Sequence, residues 1–384
     1  MSESSFNELH LPDLQITNFR CIDHLSIGKL GRVTLIAGHN EIGKTTILEA
    51  VRIYADRGRY DSLIELLDER EEFVTSFSEN QKPVAIPDYD AFFFDRNGKI
   101  GDFFSIGTLC EQENLKIKII DARDLPDFQP ELFVNATTEN TFKALSINYK
   151  GSQYMLPWTS EIGGLFQRKF SHQIPPSQRR RIALSVSDSD MPDSINTVSL
   201  GPGLPKNDMF SRYWDKIALT EEEAIVLDML RLTGQHIDRI AVVGDERSRY
   251  GSGSKIIVKI QDHPQRFPLR SFGDGLTRLF ATGLALTASR NGFLLIDEVE
   301  NGVHYSVQDG FWKMIFKIAQ QYNIQVLATT HSFDCVKAFA QASNDNPDAE
   351  GALIRLSNKT GQLQAVEYNE EEILIASEQN IEVR

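Results

Sequence analysis

Cysteine is scarce. Three residues, Cys21, Cys110 and Cys335, serve a chain of 384. They are far apart and odd in number, with neither metal-type nor redox-type spacing, so neither a disulfide framework nor a cysteine–zinc cluster is expected. Reduced thiols, mostly core filler, in a cytosolic protein are expected instead. Long apolar runs are also missing: none approaches the roughly 20 residues that span a bilayer. The opening MSESSFNELHLPDL is acidic and polar, unlike a secretory signal. Positive charge is in deficit, with 40 Lys and Arg against 54 Asp and Glu and a net charge of −14. That balance counts against a protein that coats nucleic acid, because phosphate binding needs clustered cations. The densest basic cluster, QRRRIA with Arg179, Arg180 and Arg181, reads first as a solvated strand or helix end. No internal repeat is visible, and no sustained heptads point to long coiled arms.

What is present is ordinary globular material, 41% hydrophobic and 24% charged. DLQITNF alternates like a half-buried strand, and RVTLIAG is a short apolar run of the central-strand kind. A helix is expected from Lys44 to about Ala55. The middle of the chain is β-rich with turn residues between its strands, and its aromatics read as core. A Pro/Ser/Gly-rich run over 185–208 has loop chemistry. A helix over 218–232 is expected to start at Thr220, with Glu223 completing a capping box. Phe311, Ile315, Ile318 and Tyr322 fall at helical spacing. GFLLIDE and IQVLATTH are buried strands, and ALIRLSNKTGQLQAVEY reads as a hairpin around Lys359–Gly361. Strand–helix alternation at both ends implies a parallel sheet shared by the two ends, with the middle inserted into it.

Four motifs carry chemistry. GHNEIGKTT, residues 38–46, follows an apolar strand and opens a helix. Gly38, Asn40, Glu41, Ile42 and Gly43 form a loop whose backbone N–H groups can turn toward phosphate oxygens, and the helix start adds a favourable dipole. Lys44 then reaches the β and γ phosphates, Thr45 is a Mg²⁺ ligand candidate, and Thr46 is placed for the α phosphate. In FLLIDEVEN, Asp297 ends a strand, where it would hold Mg²⁺ directly or through water. Glu298 follows and would polarise an attacking water. His331 ends another apolar strand, where it can contact a γ-phosphate or hold that water in line. In LRSFGDGLTRLF, Ser271 and Gly273 precede a helix beginning near Leu276, which makes either a second anion site or a plainly capped helix start. A second anion site suits a dimer in which one subunit's Ser271 segment closes on the other's nucleotide.

In this order the four motifs resemble the ATP-binding cassette superfamily. LQITNFRCIDHLSI with the phosphate loop is similar to the N-termini of RecF, SMC and OLD-family ATPases, and IDEVENGVHYSVQ with ATTHSFD looks most like the OLD-type group, often found in anti-phage defence. The resemblance covers about a third of the chain. Phe272 stands where transporter ATPases usually have Gly. By resemblance Arg20 lies near the nucleotide, and Gln112 is the candidate Gln of the metal-coupling loop by order alone.

The resemblance implies an α/β fold: an ABC-ATPase-like P-loop domain with a parallel core sheet, an antiparallel β subdomain and an inserted helical region. The expected division is 1–160 (phosphate loop and β subdomain), 161–250 (partly helical, for dimer or partner contacts) and 251–384 (signature, acidic strand and His331). It implies ATP and Mg²⁺, catalysis by Glu298, His331 and Lys44, and an ATP-sandwiched homodimer or higher oligomer. About 50 residues follow His331, so the TOPRIM nuclease of OLD-type enzymes is expected on a separate effector, a nuclease or toxin. A RecF- or SMC-like DNA-repair ATPase is the alternative, with nucleic acid a secondary partner. A transporter subunit is disfavoured by the irregular signature and long insertion, and no membrane partner is expected.

Overall fold

The computed structural model describes residues 8–77, 83–124, 143–157, 192–204, 207–244, 254–346, 350–358, 362–368 and 372. Arg179, Arg180, Arg181, the first part of the 185–208 run and the Lys359–Gly361 turn lie outside the described residues. Numbered along the chain, the described residues form seventeen strands and seven α-helices. They fall into two compact units, one of Met1–Pro12, Ile27–Leu48 and Ile195–Arg384, the other of Asp13–Ser26 and Glu49–Ser194.

The second unit contains β1 (Leu14–Phe19), β2 (Ile22–Ile27), β4 (Phe73–Phe77), β5 (Pro83–Pro87), β6 (Phe103–Gly107), β7 (Leu115–Asp121), β8 (Lys143–Tyr149) and β9 (Ser152–Pro157), with helix α2 (Tyr60–Glu69). Six of these strands form one sheet, ordered β2-β1-β6-β7-β8-β9, and from β1 to β9 its neighbours are antiparallel. On β7, Leu115, Ile117 and Ile119 are buried while Lys116 and Lys118 are exposed, the alternation of a sheet with one solvated face. Phe19, Phe92 and Phe104 pack together under it, so the aromatics of this region are core.

The first unit is built on β3 (Val33–Ala37), β10 (Asn196–Leu200), β14 (Gly292–Ile296), β15 (Gln325–Thr330), β16 (Gly351–Ser357) and β17 (Gln364–Tyr368). Their order is β10-β14-β15-β3-β16-β17, with the first five parallel and β17 antiparallel as the hairpin partner of β16. Every residue of β3, β14 and β15 is buried, as expected of parallel strands covered on both faces. A second sheet, β11 (Ile237–Gly244), β12 (Ser254–Ile260) and β13 (Arg266–Pro268), is antiparallel.

Helix α1 runs Lys44–Ala55, as the sequence predicts; the others here are α3 (Asn207–Ile217), α4 (Glu223–Arg231), α5 (Asp274–Ala288), α6 (Tyr305–Gln321) and α7 (Phe333–Asn344). Helix α5 is buried at every residue from Leu276 to Leu286, so it needs cover all round. Helices α3 and α4 supply part of it: Phe210 and Trp214 pack on Phe280, and Val226 and Met229 join the same core. The helical part of the region 161–250 is thus core of the first unit, within which the chain is continuous from Ile195 onward.

The helix expected over 218–232 with its start at Thr220 begins three residues later, as α4 at Glu223, and a turn over 218–222 separates it from α3. Leu219 sits at φ 65°, a conformation that disfavours helix continuation. The Thr220 hydroxyl donates back to the Ile217 carbonyl (2.7 Å), and the Glu223 carboxylate accepts from the Leu219 N–H (2.9 Å), one residue earlier than a box centred on Thr220. The cysteines also differ from expectation: Cys335 is buried, but Cys21 and Cys110 are exposed.

Candidate functional site

Parallel alignment sets the site. β10, β14, β15 and β3 lie side by side and end together, and the chain leaves them at Gly201, Asp297, His331 and Gly38 respectively. Ligands of open α/β sheets bind at such carboxyl ends.

The phosphate loop turns on Gly43, whose φ of 102° suits glycine, and on Glu41, which takes φ 65° with a side chain attached. Asn40 and Glu41 are exposed, Ile42 and Gly43 are half-buried, and Thr46 is buried. Lys44 is 7% exposed. Its ammonium donates to the Gly38 and His39 carbonyls, each at 2.8 Å. Burial pulls the Lys44 pKa down, and Asp297, Glu300 and Glu298 oppose that pull. The cation is thus held beside carboxylates without a direct ion pair to any of them.

The Thr45 hydroxyl donates to Asp297 Oδ2 at 2.8 Å. Cis oxygens around Mg²⁺ at about 2.0–2.1 Å stand about 2.9 Å apart, so the hydroxyl and carboxylate fit the ion. Among the described residues no group of three or more His, Cys, Asp or Glu could hold a metal. The ion would therefore complete its shell with nucleotide and water, as Mg²⁺ usually does.

Asp297 is held on every side. Its N–H donates to the Leu200 carbonyl (2.8 Å), and its Oδ1 accepts from the Thr329 hydroxyl (2.5 Å). The same hydroxyl accepts the Glu298 N–H (2.9 Å). Glu298 lies at φ 47°, and its Oε2 accepts from Asn301 Nδ2 at 2.6 Å. His331 is 43% exposed in its side chain. Its backbone N–H donates to Glu300 Oε1 (2.8 Å), and its Nδ1 lies 3.0 Å from the same oxygen.

Ser271 and Gly273 sit at the start of α5. A short 3₁₀ turn, Leu269–Phe272, carries Ser271 exposed, and Gly273 takes φ 88° with nothing within 4 Å of where a Cβ would stand. No side chain caps this helix. Within the second unit, Arg20 is 8% exposed. Its Nε lies 2.8 Å from Glu49 and its NH1 2.8 Å from Glu72, and its guanidinium lies over the Phe92 ring. Burial raises the Glu49 pKa, against the pull of Arg20 and Arg70. Any role for Arg20 at a nucleotide would have to share these pairs. Gln112 is exposed on the turn Glu111–Glu113 of the same unit.

Three participants escape the sequence motifs. Thr329 bridges two acidic residues from the neighbouring strand. Glu300 meets His331. Arg278, 2% exposed on α5, donates to the Asp297 carbonyl (2.9 Å) and to those of Gly201 (2.6 Å) and Gly203 (3.2 Å). A signal existed for Glu300, the second Glu of DEVEN, and for Arg278, a lone cation in an apolar helix.

Two family models match. One, described as "AAA ATPase domain", covers residues 10–197. The other, described as "AAA domain, putative AbiEii toxin, Type IV TA system", covers 199–334. An "ATP/GTP phosphatase" of Helicobacter pylori is 20% identical over 339 residues, 86% of this chain and 88% of that one. Among solved structures, an SmcHead bound to the C-winged helix domain of ScpA is 12% identical with a TM-score of 0.46, covering 94% of this chain and 97% of that one. The SMC head domain of Thermotoga maritima, also 12% identical, gives 0.40 over 94% and 100%. Those two likenesses are too loose to bear on function. The two family matches and the phosphatase relative support, in general terms, a P-loop domain that hydrolyses ATP.

Proposed function

We propose that this chain is an ATP-driven switch: two copies close around nucleotide and Mg²⁺, and the closed state controls a separate effector, a nuclease or toxin, in anti-phage defence. The observation that carries the nucleotide reading is the 2.8 Å contact between Thr45 and Asp297 beside the buried Lys44. It joins the loop and the acidic strand end, 252 residues apart in sequence, in one site. The exposed, uncapped Ser271–Gly273 turn supports the second copy as a γ-phosphate partner. Likeness over 199–334 to a model whose description includes a toxin–antitoxin system supports a toxin or nuclease effector.

The chemistry would be positional and electrostatic. Lys44 neutralises the β and γ phosphates, leaving its loop carbonyls to do so. Thr45 and Asp297 hold Mg²⁺, which supplies charge neutralisation on the phosphates. Glu298 takes a proton from the attacking water, and His331 keeps that water in line. ATP that favours closure over ADP makes turnover a reset.

Glu298→Gln tests this. Turnover should fall about 100-fold or more, with ATP binding kept and a dimer accumulating on mass photometry in ATP. Wild-type turnover in the variant would remove Glu298 from the base role. A pull-down of that trapped state from the host should recover a nuclease or toxin; recovery of DNA and repair proteins instead would favour the DNA-repair reading.

A further inference from the structure

The acidic stretch after β14 holds three carboxylates, and the motif accounts for two. Glu300 is the third. Its side chain is 9% exposed, which is costly for a charge. It does not pack as filler: Oε1 takes the His331 backbone N–H at 2.8 Å and lies 3.0 Å from His331 Nδ1, off the line of the ring N–H. Its other oxygen, Oε2, is buried with no partner among the described residues. Glu298, the motif's base, is tied instead to Asn301 at 2.6 Å. The two glutamates thus have separate attachments, and the imidazole belongs to Glu300.

We propose that Glu300 is the positioning residue for His331: it anchors the backbone at the end of β15 and, with a small turn of the ring that brings the Nδ1–H onto the carboxylate oxygen 3.0 Å away, keeps the proton on Nδ1 and leaves Nε2 with the lone pair, able to accept a hydrogen bond from the reacting water. Which imidazole nitrogen carries the proton is set by the partner of the other. A carboxylate at Nδ1 fixes that choice, as orienting carboxylates do for catalytic and metal-bound histidines. The catalytic part of this inference rests on the ATPase reading; the tautomer does not.

The first readout therefore needs no turnover. In protein labelled with ¹⁵N-histidine and free of nucleotide, at a pH above which the ring shifts no longer change, the His331 signal is identified by its loss in His331→Gln. The wild-type ring should be protonated on Nδ1. Glu300→Met removes the acceptor, and Glu300→Asp keeps the charge but draws the oxygen back by one methylene. Both should release the ring to the Nε2-protonated form, and Asp keeps the test alive if Met does not fold. A wild-type ring protonated on Nε2, or a tautomer unmoved in Glu300→Asp, overturns the proposal. The second readout is ATPase kinetics. Glu300→Asp should lower kcat about tenfold with KM within about twofold, and should add nothing in a His331→Ala background. Losses that multiply in the double variant overturn the positioning role. A wild-type protein that hydrolyses no ATP defeats the ATPase reading alone, leaving the tautomer result to stand by itself.

Discussion

Two helices of the first unit begin where an anion could sit, and they begin differently. At the start of α1 everything is tied inward: Lys44 is buried on loop carbonyls and Thr45 donates to Asp297. At the start of α5 the turn is open: Ser271 is exposed, Gly273 has free space around it, and no side chain caps the helix. The same backbone chemistry, N–H groups at a helix end, is wired in one case and left unfinished in the other. Wiring suits a site that must bind by itself. An unfinished helix end suits a site completed by something brought to it.

The largest effect expected from breaking this contrast is at the wired end. Lys44→Ala removes charge-assisted bonds worth about 1.5–3 kcal/mol each. ATP affinity, read by calorimetry or a fluorescent analogue, should drop about 100-fold, since each 1.4 kcal/mol or so is tenfold. A variant that binds ATP as well as wild type would show that the loop does not hold it. At the open end, Ser271→Arg should do the reverse. Stability should change by no more than about 0.5 kcal/mol at so exposed a position, and nucleotide affinity of the monomer should stay within about twofold, while the ATP-dependent gain in mass is lost. An unchanged dimer would place closure elsewhere. The smallest effect sharpens the wired end. Glu41→Gly relieves a left-handed backbone worth about 1–2 kcal/mol, less glycine's entropy cost of about 0.5–1 kcal/mol, and removes an anion from the loop. ATP should bind a few-fold tighter; weaker binding would mean that Glu41 contributes to the loop's shape or to Mg²⁺.

The wired end was the readable one. A loop of fixed spacing between a five-residue apolar strand and a helix is local, and α1 appears at Lys44–Ala55 as the sequence implies. Asp297, Glu298 and His331 stood out as candidates for the same reason, each lying just past the end of a buried strand. Their partners did not. Thr329 and Arg278 meet Asp297 only because β15 lies beside β14 and α5 turns its cation inward, and register is a property of the sheet rather than of either strand. The later helix start at Glu223 went unseen because Thr220 and Glu223 do form a cap-like pattern, shifted by one residue as the Thr220 hydroxyl turns back to Ile217. Unit boundaries were the least legible: the sequence sets 161–250 apart as a partly helical insertion, yet α5 is buried from Leu276 to Leu286 and takes the helices after Asn207 as part of its cover.

One contact ties the open end to the chemistry. A Cβ on Gly275, the second residue of α5, would stand 2.5 Å from the carbonyl oxygen of Gly302, in the loop after Glu298. Gly302 itself takes φ 75°. Backbone lies against backbone there, with no rotamer between them to absorb a displacement. A push on the helix start cannot be dissipated by a side chain swinging aside. A displacement of the helix start would reach the acidic loop as movement of the main chain, the way a door moves its latch bodily.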